Sequence, residues 1–516
     1  MTELMRRALS RPKWVPWVLL TVGAFGLLLP WLLAPVPSDE RYHYPAAPGR
    51  TGDNVLGVLP WAVNDMEWRM RAGRIAPVGV VVQHVIYLLG MQFAFSTGVP
   101  LFVVHGMVKL GLALVVVGAF ALLLTQLRRR TGDPIDPATR RSALTLFTIL
   151  LLLGVTTTSP GRNGWVSFVV LCMGGIALMF LVGAVCLWTL RTWGRWGSVG
   201  RAAAAVALAV LGVGVMLSYE MHWAAVPFAL VMLAFIGCSP WRHRLVVGLP
   251  LGGGWLAAVL WTRQLIGAAA ESVYVGLQPD LGGPVLKVIG LQLVNALPGT
   301  GIPYSLHSLG AGLPTPRPFA GTGWLWGALF AVGIVLLLAK ARLSGTSTAD
   351  EDRQPLVVLA GALGASALSA AVILSVSEQA HQIVRFVGAT YRGTPWIWSC
   401  LAGALAVALL VVPRTDWTRR VVSVTALATA AVLVGVLGWP TTVAALSTQR
   451  ATADYVIFER AQAELITGSA DPVAVENRCR IADQAKAWAG ESAYRRSYLP
   501  IYERAFRHQW GRPWCS

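Results

Sequence analysis

The stretch that decides the fold is Trp14 to Tyr44, WVPWVLLTVGAFGLLLPWLLAPVPSDERYHY. No charged side chain interrupts residues 14–34, and roughly 20 mostly apolar residues are enough for a helix to cross a bilayer. Four basic residues, Arg6, Arg7, Arg11 and Lys13, precede this run. It is long, and no small-x-small cleavage site ends it, so a retained first span is expected, with the N-terminus in the cytoplasm. The run ends in a dense polar burst, Ser38-Asp39-Glu40-Arg41-Tyr42-His43-Tyr44.

The same alternation repeats along the chain, which has 516 residues, 55% of them hydrophobic and 13% charged. Spans are expected at Pro100–Leu127, Ser142–Thr157, Trp165–Leu190, Ala202–Ser218, Ala224–Cys238, Leu245–Leu265, Gly323–Leu338, Leu356–Leu374, Trp396–Val412 and Val421–Leu437. With the first run, this makes an all-α integral membrane protein of about eleven transmembrane helices. A twelfth, semi-apolar segment, Val78–Ser96, contains Gln83, His84 and Gln92. Counting it as a span would carry Arg128, Arg129, Arg130, Arg140 and Arg141 to the outside, against the positive-inside bias, so it is expected to lie on the outer surface.

The net charge is +18. The basic residues are scattered over short loops between apolar runs and are not gathered into a patch with interleaved aromatics, which argues against nucleic acid. The expected organisation is a transmembrane domain over 1–439, with outer loops at 35–99 and 266–322, followed by an extracytoplasmic helical region over 440–516. Long loops of this kind usually carry function. Cys172, Cys186, Cys238 and Cys400 fall in or at the edges of spans and read as small core residues. Cys479 and Cys515 fall in the outer tail, where a disulfide is expected.

Adjacent carboxylates at a membrane boundary are costly unless they are solvated or used. The plain alternative for Asp39-Glu40 is a helix cap or a solvated turn. The functional one is a general base, with Arg41 keeping Asp39 ionised. An Asp-Glu pair followed by an aromatic, directly after the first span, resembles the signature of the GT-C glycosyltransferase superfamily. The DERY run is similar to the acidic motif of lipid A aminoarabinose transferases and protein O-mannosyltransferases.

The resemblance implies a polyprenyl-phosphate-sugar donor, a glycan, lipid or protein acceptor, and catalysis by Asp39 with Glu40 as orienter or metal ligand. It also implies interfacial helices in the first outer loop and a donor-binding loop at 266–322. No cofactor is required by the sequence; some relatives use Mg²⁺ or Mn²⁺, so the metal is left unknown. The run WRMRAGRIAPVG, with Arg69, Arg71 and Arg74, looks like the turn that follows the acidic motif in that superfamily. Its plain alternative is attraction of arginines to headgroups.

Further candidates come from the residues themselves. Arg74, Lys109, Lys287, Arg385 and Arg392 are candidate donor-phosphate cations. Lys109 lies four residues after His105 on one helical face; it must snorkel, pair internally or line a polar cavity. Arg41, Tyr42, His43, Glu220 and His222 are candidate acceptor or substrate contacts, each with a solvated-loop alternative. The absence of a phosphate-cradling GxxxxGK[ST] loop argues against ATP as a direct energy source. A flippase of lipid-linked sugars would be expected to show internal repeats and midplane charges. A surface-polysaccharide polymerase or ligase would not predict an acid directly after the first span.

Overall fold

A computed structural model describes residues 14–36, 40–71, 75–156, 165, 168–236, 239–269, 284–298, 300, 321–343, 350–385, 393–411, 417–451, 453–489 and 499–515. The described chain is helical, with one isolated antiparallel bridge between Arg128 and Pro134. Ten helices are long and apolar enough to cross a membrane, and three shorter apolar ones accompany them. This is a multi-pass membrane protein by helix length and composition.

In chain order the first helices are α1 (Val15–Leu32), α2 (Glu40–Thr51), α3 (Val58–Arg71), α4 (Pro77–Thr97) and α5 (Leu101–Gln126). Next come α6 (Pro137–Thr156), α7 (Val169–Thr192), α8 (Ser198–Met216), α9 (Ala225–Phe235) and α10 (Trp241–Ala269). They are followed by α11 (Val285–Asn295), α12 (Gly323–Leu343), α13 (Asp350–Ser375), α14 (Glu378–Ile383) and α15 (Thr394–Val411). The last are α16 (Trp417–Leu433), α17 (Trp439–Ala451), α18 (Ala453–Thr467), α19 (Pro472–Ala489) and α20 (Leu499–Trp510). A π-helical segment, Val434–Gly438, joins α16 to α17, so helix runs continuously through residues 439–440.

The bundle centre is an apolar core shared by α1, α5, α6, α7, α9, α13 and α15. Small residues set its closest approaches. A side chain at Gly23 would strike the backbone of Phe330, and one at Gly333 would strike that of Leu20, so α1 and α12 pack nearly backbone to backbone. Indole donors tie helices to one another: Trp31 Nε1 donates to the Trp165 carbonyl at 2.7 Å and Trp398 Nε1 to that of Leu150 at 2.9 Å. A buried N–H without such an acceptor would be costly.

Helices α5 and α7 run parallel. Phe120 meets Phe180 with ring centroids 5.1 Å apart, and three residues further along both helices Gly183 faces Leu123. Their first turns therefore share one end of the bundle. The end of α1 is there too, because Gly106 of α5 abuts the Leu32 carbonyl. So is the end of α8: Val78 N donates to the Leu217 carbonyl at 3.1 Å, and Gly79 lies against Ser218 and Leu171. Helix α4 thus starts at this end. It also finishes there, since Gly98, in the left-handed conformation, turns the chain directly into α5. It lies across one end of the bundle, which is why an apolar helix of spanning length can present Gln83, His84 and Tyr87 to the loop that precedes it.

At the opposite end the α5–α6 connection is locked to α13. Arg129 Nε pairs with Asp352 Oδ1 at 2.6 Å, and Asp136 N donates to Asp352 Oδ2 at 3.2 Å. Asp352 is wholly buried. Removing the arginine strands that carboxylate, so Arg129→Gln is expected to destabilise the protein by roughly 3 kcal/mol. The check is the thermal midpoint in detergent, against Arg353→Gln on the exposed side of the same helix. Equal midpoints for the two variants would contradict the lock.

Candidate functional site

Glu40 is the first residue of α2, where a carboxylate is favoured by the helix dipole. It is not solvated: only 1% of its surface is exposed. Its Oε1 accepts from the Tyr87 hydroxyl at 3.4 Å, and its Oε2 lies 3.8 Å from His105 Nε2. Tyr44, one turn along α2, brings its hydroxyl to 3.2 Å from His105 Nδ1. The Gln83 amide donates to the Tyr87 hydroxyl one turn away on α4.

Behind this layer stands Lys109, one turn after His105 and also wholly buried. Its ammonium donates to the Trp31 carbonyl at 3.1 Å, lies 5.8 Å from the centroid of that indole, and has Glu40 as its electrostatic partner. The Trp31 carbonyl belongs to the last turn of α1, where helical partners run out. Glycine at 106 lets that turn approach closely enough for Lys109 to reach it. Four helices, α1, α2, α4 and α5, therefore converge on one carboxylate. The pairing is internal, and Lys109 does not snorkel.

Tyr87 also joins this group to a second one. His43 stacks on it with centroids 5.4 Å apart and lies 5.7 Å from His84. Asp65 of α3 accepts from Arg69 Nε at 2.7 Å and lies 3.6 Å from His84 Nε2. Burial pushes the Asp65 carboxyl up, but His84 and the Arg69 guanidinium more than reverse that and hold it well below the usual carboxylate range. Burial, reinforced by neighbouring His84 and Arg69, pushes the His43 imidazole well below its ordinary value of 6.5.

The C-terminal helices form the roof. One apolar core contains Val36, Tyr44, Trp61, Tyr87 and Met91 from the first loop and α4 together with Phe458, Leu465, Tyr502, Phe506 and Trp514. The Tyr502 hydroxyl donates to the Arg41 carbonyl at 3.1 Å, and the Arg41 guanidinium lies 5.5 Å from the centroid of Phe458. Arg41 Nε also donates to the Val36 carbonyl at 2.9 Å. At the rim, His508 Nε2 meets Asp53 Oδ2 at 2.8 Å. The roof is pinned by a disulfide between Cys479 and Cys515 and by Arg478, fully buried, whose Nε donates to the Trp514 carbonyl at 2.8 Å.

Of the residues singled out from sequence, Glu40, Arg41, His43, His105 and Lys109 come together here. Asp39, Arg74 and Arg392 lie outside the described residues. Tyr42 lies in α2 and Glu220 in the short helical turn Glu220–Ala224. His222 is built into helix packing instead. Its Nε2 is 2.7 Å from the Leu171 carbonyl, its ring stacks on Trp396, and only glycine at 175 leaves room for it. Lys287 is exposed on α11, and Arg385 is exposed just past α14. No described contact joins His222, Lys287 or Arg385 to Glu40.

Tyr44, Gln83 and Tyr87 were missed as site residues. Gln83, His84 and Tyr87 share one face of an otherwise apolar helix, a signal that helical periodicity carries. Among the described residues, no group of three or more His, Cys, Asp or Glu side chains is arranged to hold a metal ion. No protein-family model matches the chain, and no curated protein or solved structure matches it either.

The sign of the pH dependence follows from the two shifted groups. Unfolded His43 takes up a proton near pH 6.5, whereas the folded imidazole stays neutral to a lower pH, so its effect on stability turns unfavourable as pH falls below 6.5. Asp65 contributes stability above its unfolded pKa and loses it as pH falls through the depressed folded one. Thermal midpoints are therefore expected to fall as pH drops below about 6.5, through His43, and to fall further below about pH 4, through Asp65. His43→Phe is expected to flatten that slope; an unchanged slope in this variant would contradict the assignment.

Proposed function

We propose that this chain is a glycosyltransferase of GT-C type. It would take a sugar from a polyprenyl phosphate at the outer face of the cytoplasmic membrane, in cell-envelope glycan or glycolipid assembly. The observation that carries this is the burial of Glu40. A carboxylate that could sit in water at a loop is instead enclosed with His105 and Lys109 at the end of an apolar bundle. Ionisable groups at such depth are expensive and gather where a protein does chemistry.

In this reading the substrate's lipid tail lies among the spans while its sugar reaches the enclosure beneath the C-terminal roof. Asp39 accepts the proton of the acceptor hydroxyl or amine as that group attacks the anomeric carbon. Lipid phosphate leaves, and cations of the outer loops stabilise its developing charge. Glu40 holds the acceptor or its neighbours in place, and Lys109 and His105 hold Glu40. A divalent cation is compatible with two adjacent carboxylates but is not needed for these steps.

Membrane orientation belongs to the same proposal. Setting α4 aside as a helix lying across the outer end, and adding the shorter α9 and α12, gives eleven crossings with a cytoplasmic N-terminus. The end bearing Glu40 then faces outward, and the Arg129–Asp352 lock faces the cytoplasm.

Two outcomes test this. Asp39→Asn is expected to lower transfer from radiolabelled polyprenyl-phosphate sugar in membranes by roughly 10²–10⁴-fold at normal expression. Full transfer would remove Asp39 as the base, and unchanged transfer with lost lipid movement would favour a flippase. For orientation, cysteine placed at Leu56, which is 72% exposed in the first loop, should label with an impermeant maleimide on intact cells. Cysteine at Gly132 should label only after permeabilisation; the reverse pattern would invert the topology.

A further inference from the structure

Helices α2, α3 and α4 enclose a second polar group that the Glu40 cluster does not use. Trp61 of α3 and His84 of α4 stack with centroids 3.6 Å apart and planes 5° from parallel. Trp61 is 5% exposed and His84 is 1% exposed. Among the described residues, the Trp61 Nε1–H has no acceptor and His84 Nδ1 has no hydrogen-bond partner. Asp65 Oδ2, which accepts from Arg69, lies 3.6 Å from His84 Nε2 and is the partner of that nitrogen, so the Trp61 N–H and His84 Nδ1 are the groups left to be met. Buried polar groups are ordinarily met by a partner, and here two adjacent side chains each present one that is not.

Charge at the same place points one way. The Arg50 guanidinium lies 5.3 Å from the centroid of Trp61 and is exposed at the rim. Arg504 of the roof is near enough to act on Arg50, and Arg69 acts on both His43 and His84. Against these, Asp65 is the one described carboxylate acting on Arg50, His43 and His84. A cationic rim leading to stranded donors calls for a ligand with several acceptor oxygens and negative charge. The same charges disfavour a cation. A sugar stacked on the indole is disfavoured, because His84 and Arg50 already lie over that ring.

We propose that Trp61, His84, Arg50 and Arg69 form a binding site for a phosphate-class oxyanion, distinct from the Glu40 enclosure. Guanidinium and N–H donors in a confined space suit the tetrahedral oxygens of a phosphomonoester or phosphodiester. That chemistry can come from a membrane lipid headgroup or from soluble phosphate. The site requires no transfer step and stands whether or not Asp39 is a base.

The test uses the full chain in nanodiscs of zwitterionic lipid. Inorganic phosphate and pyrophosphate are titrated calorimetrically, and nanodiscs doped with polyprenyl phosphate or phosphatidic acid are examined for lipid retained in native mass spectra. Trp61→Phe keeps the ring and removes its N–H. Arg50→Gln changes an exposed side chain and so tests the site even where Trp61→Phe fails to fold. Each is expected to weaken binding about tenfold, with Arg353→Gln at the far end of the bundle unchanged. Retention of doped lipid alone identifies a headgroup site, and binding of inorganic phosphate alone identifies a soluble ligand. No binding of any probe, or binding indifferent to Trp61→Phe and Arg50→Gln, overturns the proposal. Asp39→Asn is expected to bind normally, which keeps failure of this site separable from failure of the transferase reading.

Discussion

The first loop and the end of the bundle are arranged around the removal of Glu40 from water together with His105 and Lys109. Taking ions out of solvent costs several kcal/mol each, and only close mutual contacts and hydrogen bonds offset it. Each neighbouring feature contributes to that offset. Helix α1 ends where its Trp31 carbonyl meets the Lys109 ammonium, glycine at 106 permits the approach, and α4 crosses the bundle end to deliver Tyr87. The loop after the first span is therefore a structural partner of the bundle. Its acidic residue is held by helices that begin at Pro77 and Leu101, further along the chain.

The C-terminal helices extend the same logic outward. Their apolar residues share a core with the first loop, and Tyr502 reaches across 461 positions of sequence to the carbonyl of Arg41. A roof anchored to the residue beside Glu40 ties enclosure of the site to the folding of the far end of the chain. The Cys479–Cys515 disulfide and the Arg478–Trp514 contact stiffen that roof from within, and no described contact joins either to Glu40. Beside the cluster, Trp61 and His84 stack on one another with the Arg50 guanidinium over the indole.

The bundle was legible because apolar length is a direct physical requirement of crossing a bilayer. Charge asymmetry set Val78–Ser96 apart from the expected spans; in the structure α4 is one of the ten helices of spanning length, and both of its ends lie at one end of the bundle. The acidic pair was legible as an anomaly, and the His105–Lys109 spacing as one helical face. What sequence could not carry was long-range partnership. Nothing local to Tyr44, Tyr87 or Tyr502 says that their hydroxyls meet His105, Glu40 and the Arg41 backbone. His222 shows the converse: a histidine in an outer turn looked available, but glycine at 175 admits its ring into helix packing. Composition likewise gave no hint that Trp61 and His84 would be stacked with donors unmet.

The central proposal is that the buried Glu40–His105–Lys109 group serves chemistry and not stability. Replacing all three at once by Glu40→Leu, His105→Leu and Lys109→Met separates these directly. Buried ionic groups replaced together by apolar side chains of similar size are often neutral or stabilising. A thermal midpoint equal to or above that of the wild type, with transfer from polyprenyl-phosphate sugar abolished, is the expected result. A protein that loses its fold, or one that keeps full transfer without these charges, would contradict the account.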